Sequence, residues 1–134
     1  GILETVDALT KAGVRQGIVS SNSEANIRVC LENNRVEKHF EFVVGIRRVF
    51  GKRRALKQAL KRAGLSPQEA LYVGDEVRDI HAARRINLPI ACVTWGVNSP
   101  SLLESQTPEH LITEPQQLLQ LFGTPQVTTS ERSS

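Results

Sequence analysis

Leu3, Val6 and Leu9 recur at helical spacing with Glu4, Asp7 and Lys11 between them, and Gly13 follows. This pattern predicts an amphipathic helix over about 3–12, closed by a glycine. Arg15 to Ser20, carrying Gly17-Ile18-Val19, reads as a short strand. A second helix follows, with Asn22 or Ser23 as its N-cap and Ile27, Cys30 and Leu31 facing inward; Asn33 and Asn34 end it. Phe42-Val43-Val44-Gly45 predicts a second strand. From Lys52 to Ala63 the apolar residues Ala55, Leu56, Ala59, Leu60 and Ala63 share one helical face, and Gly64 stops the helix. Ser66-Pro67-Gln68-Glu69 is a capping box with proline at its first position, which opens one turn of helix. Leu71-Tyr72-Val73 is a third strand. Val77, Ile80 and Ala83 mark a fourth helix closing at Asn87, and Ile90 to Thr94 a fourth strand. Beyond it the pattern predicts a loop at Leu102-Leu103, an extended piece at Leu111-Ile112 and a terminal helix over 118–122. Gly123 to Ser134 is polar and aperiodic and reads as a disordered tail.

Strands and helices alternate, and the strands are continuously apolar. That combination predicts an α/β fold, a parallel sheet with helices on both faces. With 134 residues, 40% of them hydrophobic, the chain suits one globular domain and is too apolar for wholesale disorder. No apolar run approaches the length of a membrane span. Cys30 and Cys92 lie far apart in apolar contexts, without a Cys/His cluster; they read as buried thiols of a cytoplasmic protein. His81 reads as a helix-surface residue, and His39 and His110 as loop residues.

The net charge of +3 is uneven. Eight basic residues and no acidic one fall between Arg47 and Arg62. Such a patch suits an anion, whether a phosphoryl group, a nucleic acid or solvent counter-ions. One apparent motif fails. Gly45 and Gly51 are separated by five residues where a P-loop has four, and Arg53 stands where Ser or Thr is needed.

In doubly wound sheets the binding crevice lies beyond the carboxyl ends of the strands. Ser20, Ser21 and Asn22 follow the first strand, and the basic stretch follows the second. Gly74-Asp75-Glu76-Val77-Arg78-Asp79 follows the third, and Trp95, Gly96 and Asn98 the fourth. Asp75 ends a strand and Asp79 lies one helical turn on, so both carboxylates can face one point; hard oxygen donors at that spacing suit Mg²⁺. The plain alternative is a helix cap at Asp75 and an ion pair between Asp79 and Arg78 or Arg84. Ser21-Asn22 opens a helix, where free N–H groups and a hydroxyl bind phosphate, and where an ordinary N-cap is the competing reading. Lys52 can neutralise a phosphoryl group or simply belong to a solvated basic face.

In order along the chain, these segments resemble the haloacid dehalogenase-like phosphohydrolases, in particular the phosphoglycolate phosphatase-like branch. Ile18-Val19-Ser20-Ser21-Asn22-Ser23 is similar to the family's second motif, an apolar strand ending in Ser or Thr. Gly51-Lys52 is similar to the third, and Val73-Gly74-Asp75-Glu76-Val77-Arg78-Asp79 to the fourth, GDxxxD. The likeness runs from about Gly1 to Phe122, so residues 1–122 are expected to form a partial core domain of that kind. The resemblance implies a three-layer Rossmann-like core and Mg²⁺-dependent hydrolysis of a phosphomonoester through an aspartyl-phosphate. It further implies that Ser21 bonds the phosphoryl oxygens with the Asn22 backbone assisting, that Lys52 offsets charge, and that Asp75 and Asp79 serve the metal. The expected partner is a small phosphorylated metabolite such as phosphoglycolate, with no membrane and no nucleic acid.

The family's first motif, a strand ending in DxD that carries the nucleophile, has no counterpart here. Glu4 and Asp7 lie on a predicted helix. The cap domain that normally follows that motif is missing too. In the family this first strand lies between the strands bearing the second and fourth motifs, so the sheet here is expected to lack its middle, leaving two strand edges without a partner. Two alternatives stand beside the phosphatase. One is a non-catalytic phosphate-binding or regulatory module on the same fold. The other is a nucleic-acid binder through Arg47–Arg62, against which one Trp, one Tyr and four Phe make a poor stacking surface.

Overall fold

The computed structural model describes residues 1–46, 51–96 and 98–122. The expected tail over 123–134 and two cations of the basic run, Arg47 and Arg48, lie outside the described residues. In chain order the elements are α1 (Ile2–Lys11), β1 (Ile18–Ser20), α2 (Glu24–Asn33), β2 (Val43–Gly45), α3 (Gly51–Ala63), β3 (Tyr72–Gly74), α4 (Val77–Arg85), β4 (Ile90–Val93), α5 (Pro100–Ser105), β5 (His110–Ile112) and α6 (Gln117–Leu121), with 3₁₀ turns at Glu37–His39 and Pro67–Glu69.

Local chemistry explains the boundaries. α1 ends through Gly13, at φ +86°, and Val14 donates from its N–H back to the Leu9 carbonyl at 2.9 Å. Ser23, of the two residues considered, caps α2, its hydroxyl accepting from Asn26 N–H at 3.1 Å. The Ser66 N–H donates to Glu69 Oε1 at 2.8 Å across the expected single turn. Asn87 closes α4 in the left-handed region at φ 58°, a conformation asparagine tolerates.

All strand pairing is parallel. β1 pairs with β2, Ile18 opposite Val43. β4 lies between β3 and β5, with Tyr72 opposite Ile90 and Ala91 opposite His110. Alternation along β4 shows the layering, because all four of its residues are buried. Ile90 and Cys92 join the core formed with Leu56, Ile80, Ala83 and Leu103 of α3, α4 and α5. Ala91 and Val93 point the other way, onto Ile112 and Leu118 of β5 and α6. A third cluster, Leu31, Val36 and Val43, packs β2 against α2. Helices therefore cover both faces, as the apolar strand runs predict.

The sheet is in two pieces, β1–β2 and β3–β4–β5. β1 and β3 are both edges, and their N-terminal halves line one apolar cleft of about 350 Å³ that includes Ile18, Val19, Leu71 and Val73. Val73 is 41% exposed, high for a strand residue flanked by apolar neighbours.

Several expectations are corrected. The first strand is shorter than Arg15 to Ser20, since regular pairing starts at Ile18; before it the Gln16 carbonyl accepts from Glu41 N–H at 2.8 Å. The second strand starts at Val43, not Phe42. Cys30 is exposed, not buried, because Leu31 and Ile27 take the inward face of α2; Cys92 is buried as expected. Leu102-Leu103 lies in a short helix, α5, and not in a loop: Ser99 caps it, accepting from Leu102 N–H at 3.3 Å, and Pro100 starts it. His39 sits in a 3₁₀ turn with a side chain only 7% exposed, 3.5 Å from Asp7, and His110 opens β5; neither is a loop residue.

Candidate active site

The site grows from the end of β3. A Cβ on Gly74 would lie 2.6 Å from Asp79 Oδ2, so only glycine lets the Asp79 carboxylate tuck beneath the strand end. There Asp79 Oδ2 accepts from the backbone N–H groups of Asp75 at 2.9 Å and Glu76 at 3.0 Å. Its Oδ1 accepts from the Tyr72 hydroxyl at 3.1 Å and from Lys52 Nζ. Asp79 is only 2% exposed, and a buried carboxylate is tolerable because both oxygens are engaged this way. Gly96 plays the same part for Asp75: a Cβ there would lie 2.2 Å from Asp75 Oδ2. The loop after β4 also braces the start of α4, where Asn98 Oδ1 accepts from Val77 N–H at 2.8 Å.

Lys52 arrives from the first turn of α3, which Gly51 enters at φ +70°. Its ammonium bonds Asp79 and also Glu76 Oε2 at 3.2 Å. Burial works to lower the lysine pKa, but the two carboxylates outweigh it and the net direction is upward, so Lys52 is a fixed cation. Glu76 is held below its ordinary value by Lys52 and then by Arg78, which donates to Glu76 Oε1 at 3.2 Å. The Tyr72 phenol is pushed up, first by burial and then by the Asp79 charge, which keeps it a donor. Burial likewise pushes the Cys92 thiol up to about 11, an unreactive thiol below the site.

Ser21, Lys52, Asp75 and Asp79, the residues read from the sequence, all line one cavity of about 490 Å³ at the carboxyl ends of β1 and β3. Asn22 does not join them; its N–H donates to Ser20 Oγ at 3.0 Å. Ser20, Glu76 and Arg78 also line the cavity and were not assigned from the sequence. Ser20 ends β1 beside Ser21. Glu76 completes a cluster with Asp75 and Asp79 in which one ligand oxygen from each lies within 4.8 Å of the others. A third carboxylate inside GDxxxD was visible, but its pairing with Lys52, 24 positions away, was not. Three hard oxygen donors beside a fixed cation fit Mg²⁺, which takes one or two carboxylates and completes its shell with phosphate oxygens and water. Asp75, at the strand end, would hold the ion most directly; the oxygens of Asp79 and of Glu76 all accept from donors already.

The model of the haloacid dehalogenase-like hydrolase family matches residues 1–93. The chain belongs to that family. This haloacid dehalogenase-like chain is 38% identical over 120 residues to the phosphoglycolate phosphatase of Synechococcus elongatus, a match covering 90% of the chain and 57% of the relative. To pyrophosphatase PpaX of Bacillus cereus it is 29% identical over 125 residues, covering 91% and 58%. It thus spans somewhat over half the length of these relatives. A haloacid dehalogenase-like hydrolase from Streptococcus pneumoniae superposes with a TM-score of 0.78 at 19% identity, over 89% of this chain and 57% of that one. At that identity the superposition speaks for the fold, and the fold is the α/β core expected from the sequence. Among the described residues no helix is long and apolar enough to cross a membrane.

Proposed function

We propose that this chain carries the phosphate- and metal-binding part of a Mg²⁺-dependent phosphomonoesterase that works through an aspartyl-phosphate. The observation that carries the reading is the convergence of Ser21, Lys52, Asp75 and Asp79 on one cavity at the strand ends. Phosphoryl transfer asks a protein mainly for positioning and charge neutralisation, and these residues supply both. The Ser21 hydroxyl donates to a phosphoryl oxygen. Lys52 sets a positive charge beside it. Asp75 would hold the metal, with Glu76 beside it, and the metal would draw charge from the phosphoryl oxygens. Asp79 holds Lys52 and the Asp75–Glu76 backbone in place.

The attacking carboxylate is assigned to a strand outside these residues. Asp75, Glu76 and Asp79 are committed to the metal, to Lys52 and to backbone donors, and Ser21 has no base among the residues lining the cavity other than those. The split sheet supports the assignment. The cleft lined by β1 and β3 is apolar, and Val19, Tyr72 and Val73 line both it and the site cavity. A strand laid there parallel to its neighbours ends at the cavity. The substrate class follows from the relatives' names, phosphoglycolate phosphatase and pyrophosphatase, which suggest a small phosphorylated metabolite with a second anionic group.

The test is to place an upstream segment carrying a DxD strand ahead of Gly1 and measure phosphoglycolate hydrolysis with Mg²⁺. Turnover that needs Mg²⁺ and falls at least 100-fold in Asp75→Asn supports the reading. Phosphate binding without turnover in the fused protein favours a non-catalytic module, and activity indifferent to Asp75→Asn refutes the site.

A further inference from the structure

The cavity at the strand ends is larger than a phosphoryl group fills, at about 490 Å³, and it contains two cations of different standing. Lys52 is mostly buried and bound to Asp79 and Glu76. Arg78, in the first turn of α4, lines the same cavity with a side chain 78% exposed. Its one side-chain bond among the described residues runs from Nη2 to Glu76 Oε1 at 3.2 Å. A guanidinium has five N–H donors in a planar fork, so most of this one remains available to solvent or ligand.

Glu76 does not depend on that bond. Its other oxygen accepts from Lys52 at 3.2 Å, so Arg78 can swing away without leaving a carboxylate unpaired. The exchange therefore costs little, whereas moving Lys52 would strip the buried Asp79 of its counter-charge. The two cations divide accordingly: Lys52 stays with the phosphoryl position, and Arg78 is free to meet whatever the rest of the substrate presents at the mouth.

Building on the phosphoryl-site reading, we propose that Arg78 is a specificity-determining residue that takes the second anionic group of the substrate, a carboxylate or a second phosphate, in a forked hydrogen bond. Either group matches the planar fork; an ammonium would offer only a point charge. A phosphate ester with a neutral alcohol part leaves the fork on Glu76 and gains nothing from it.

The experiment titrates three ligands into the 134-residue chain with Mg²⁺ by calorimetry: phosphoglycolate, pyrophosphate and ethyl phosphate. The chain is expected to bind at least one of the first two about 10-fold tighter than ethyl phosphate, the scale of a charge-assisted hydrogen bond at an open site. Arg78→Gln should erase that preference and leave ethyl phosphate affinity within about twofold, while Arg78→Lys should restore only part of it. Which of the two ligands with a second anionic group loses its advantage tells a carboxylate from a second phosphate. A preference that persists in Arg78→Gln overturns the inference and leaves the phosphoryl site standing. An equal loss for all three ligands also overturns it, because Arg78 would then act on the phosphoryl group itself. If none of the three binds, the phosphoryl-site reading fails and this inference fails with it.

Discussion

Gly96→Ala puts a methyl group where the Asp75 side chain lies. The added Cβ would sit 2.2 Å from Asp75 Oδ2, 2.3 Å from its Cβ and 2.6 Å from its Cγ. Non-bonded carbons rest at about 3.5–4.0 Å, so Asp75 must retreat by roughly 1 Å. Gly96 itself is exposed, its φ is one that alanine adopts, and its three nearest contacts all belong to Asp75. The strain therefore falls on Asp75, and because its Cβ is among the contacts the end of β3 must shift with the carboxylate. Mg²⁺ accepts ligands only near about 2.0–2.1 Å, so a displacement of this size removes Asp75 from the metal. The expected result is a loss of Mg²⁺ affinity of about 10- to 100-fold, the range seen when a ligand's support is disturbed. Calorimetric titration of Mg²⁺ into the chain and the Gly96→Ala variant measures it, with thermal unfolding as the control. An affinity within twofold of the parent at an unchanged melting temperature would refute the assignment of Asp75 as a metal ligand.

Tyr72→Phe removes one donor from Asp79 Oδ1 and leaves the backbone bonds to Oδ2; a loss of stability of about 1–2 kcal/mol in denaturant unfolding is expected, and no loss would mean the hydroxyl bond is not formed. Arg15 grips Glu41 with Nε–Oε2 at 2.7 Å and Nη2–Oε1 at 2.8 Å and also reaches the Ala63 carbonyl at 3.0 Å, tying the approach to β1 to α3. This fork holds the Glu41 pKa below its ordinary 4.5. Its stabilisation, up to about 1 kcal/mol, is therefore present above that value and lost as the pH falls through the lowered one. The drop in melting temperature between pH 5 and pH 3 should be smaller in Glu41→Gln, and an equal drop would contradict the coupling. Cys30 is exposed and Cys92 buried with a raised pKa, so one thiol should react with a disulfide reagent in the native chain and two in denaturant. Two reacting natively would mean that the β4 core is open.

Much of the architecture was legible because it rests on short-range patterns. The apolar stripe of α3, the Ser66 to Glu69 capping box and the continuous runs of β2 and β4 each act within a few residues, and the structure follows them. The turn at Asn87 was readable for the same reason. Burial was less legible. On α2 the inward direction depends on where the helix docks, and rotation about its axis moved Cys30 to solvent while Leu31 stayed inside. The Ser99-Pro100 start of α5 was a local signal, but six residues are too few for periodicity to stand out. At the site, spacing brought Asp75 and Asp79 together, whereas the double role of Asp79 was not readable. Its bonds to Lys52 and Tyr72 depend on how α3 and β3 pack. The break between β1 and β3 left no trace in either strand's own pattern; it followed only from comparing the order of motifs with the family's.

The central claim is that Ser21, Lys52 and Asp75 hold a phosphate together with Mg²⁺. Its most direct measurement is calorimetric binding of inorganic phosphate to the chain with and without Mg²⁺. Because linked binding is reciprocal, Mg²⁺ should tighten phosphate by the same factor that phosphate tightens Mg²⁺, and Asp75→Asn should abolish that coupling. Phosphate affinity that is the same with and without the metal, and the same in Asp75→Asn, would contradict the account.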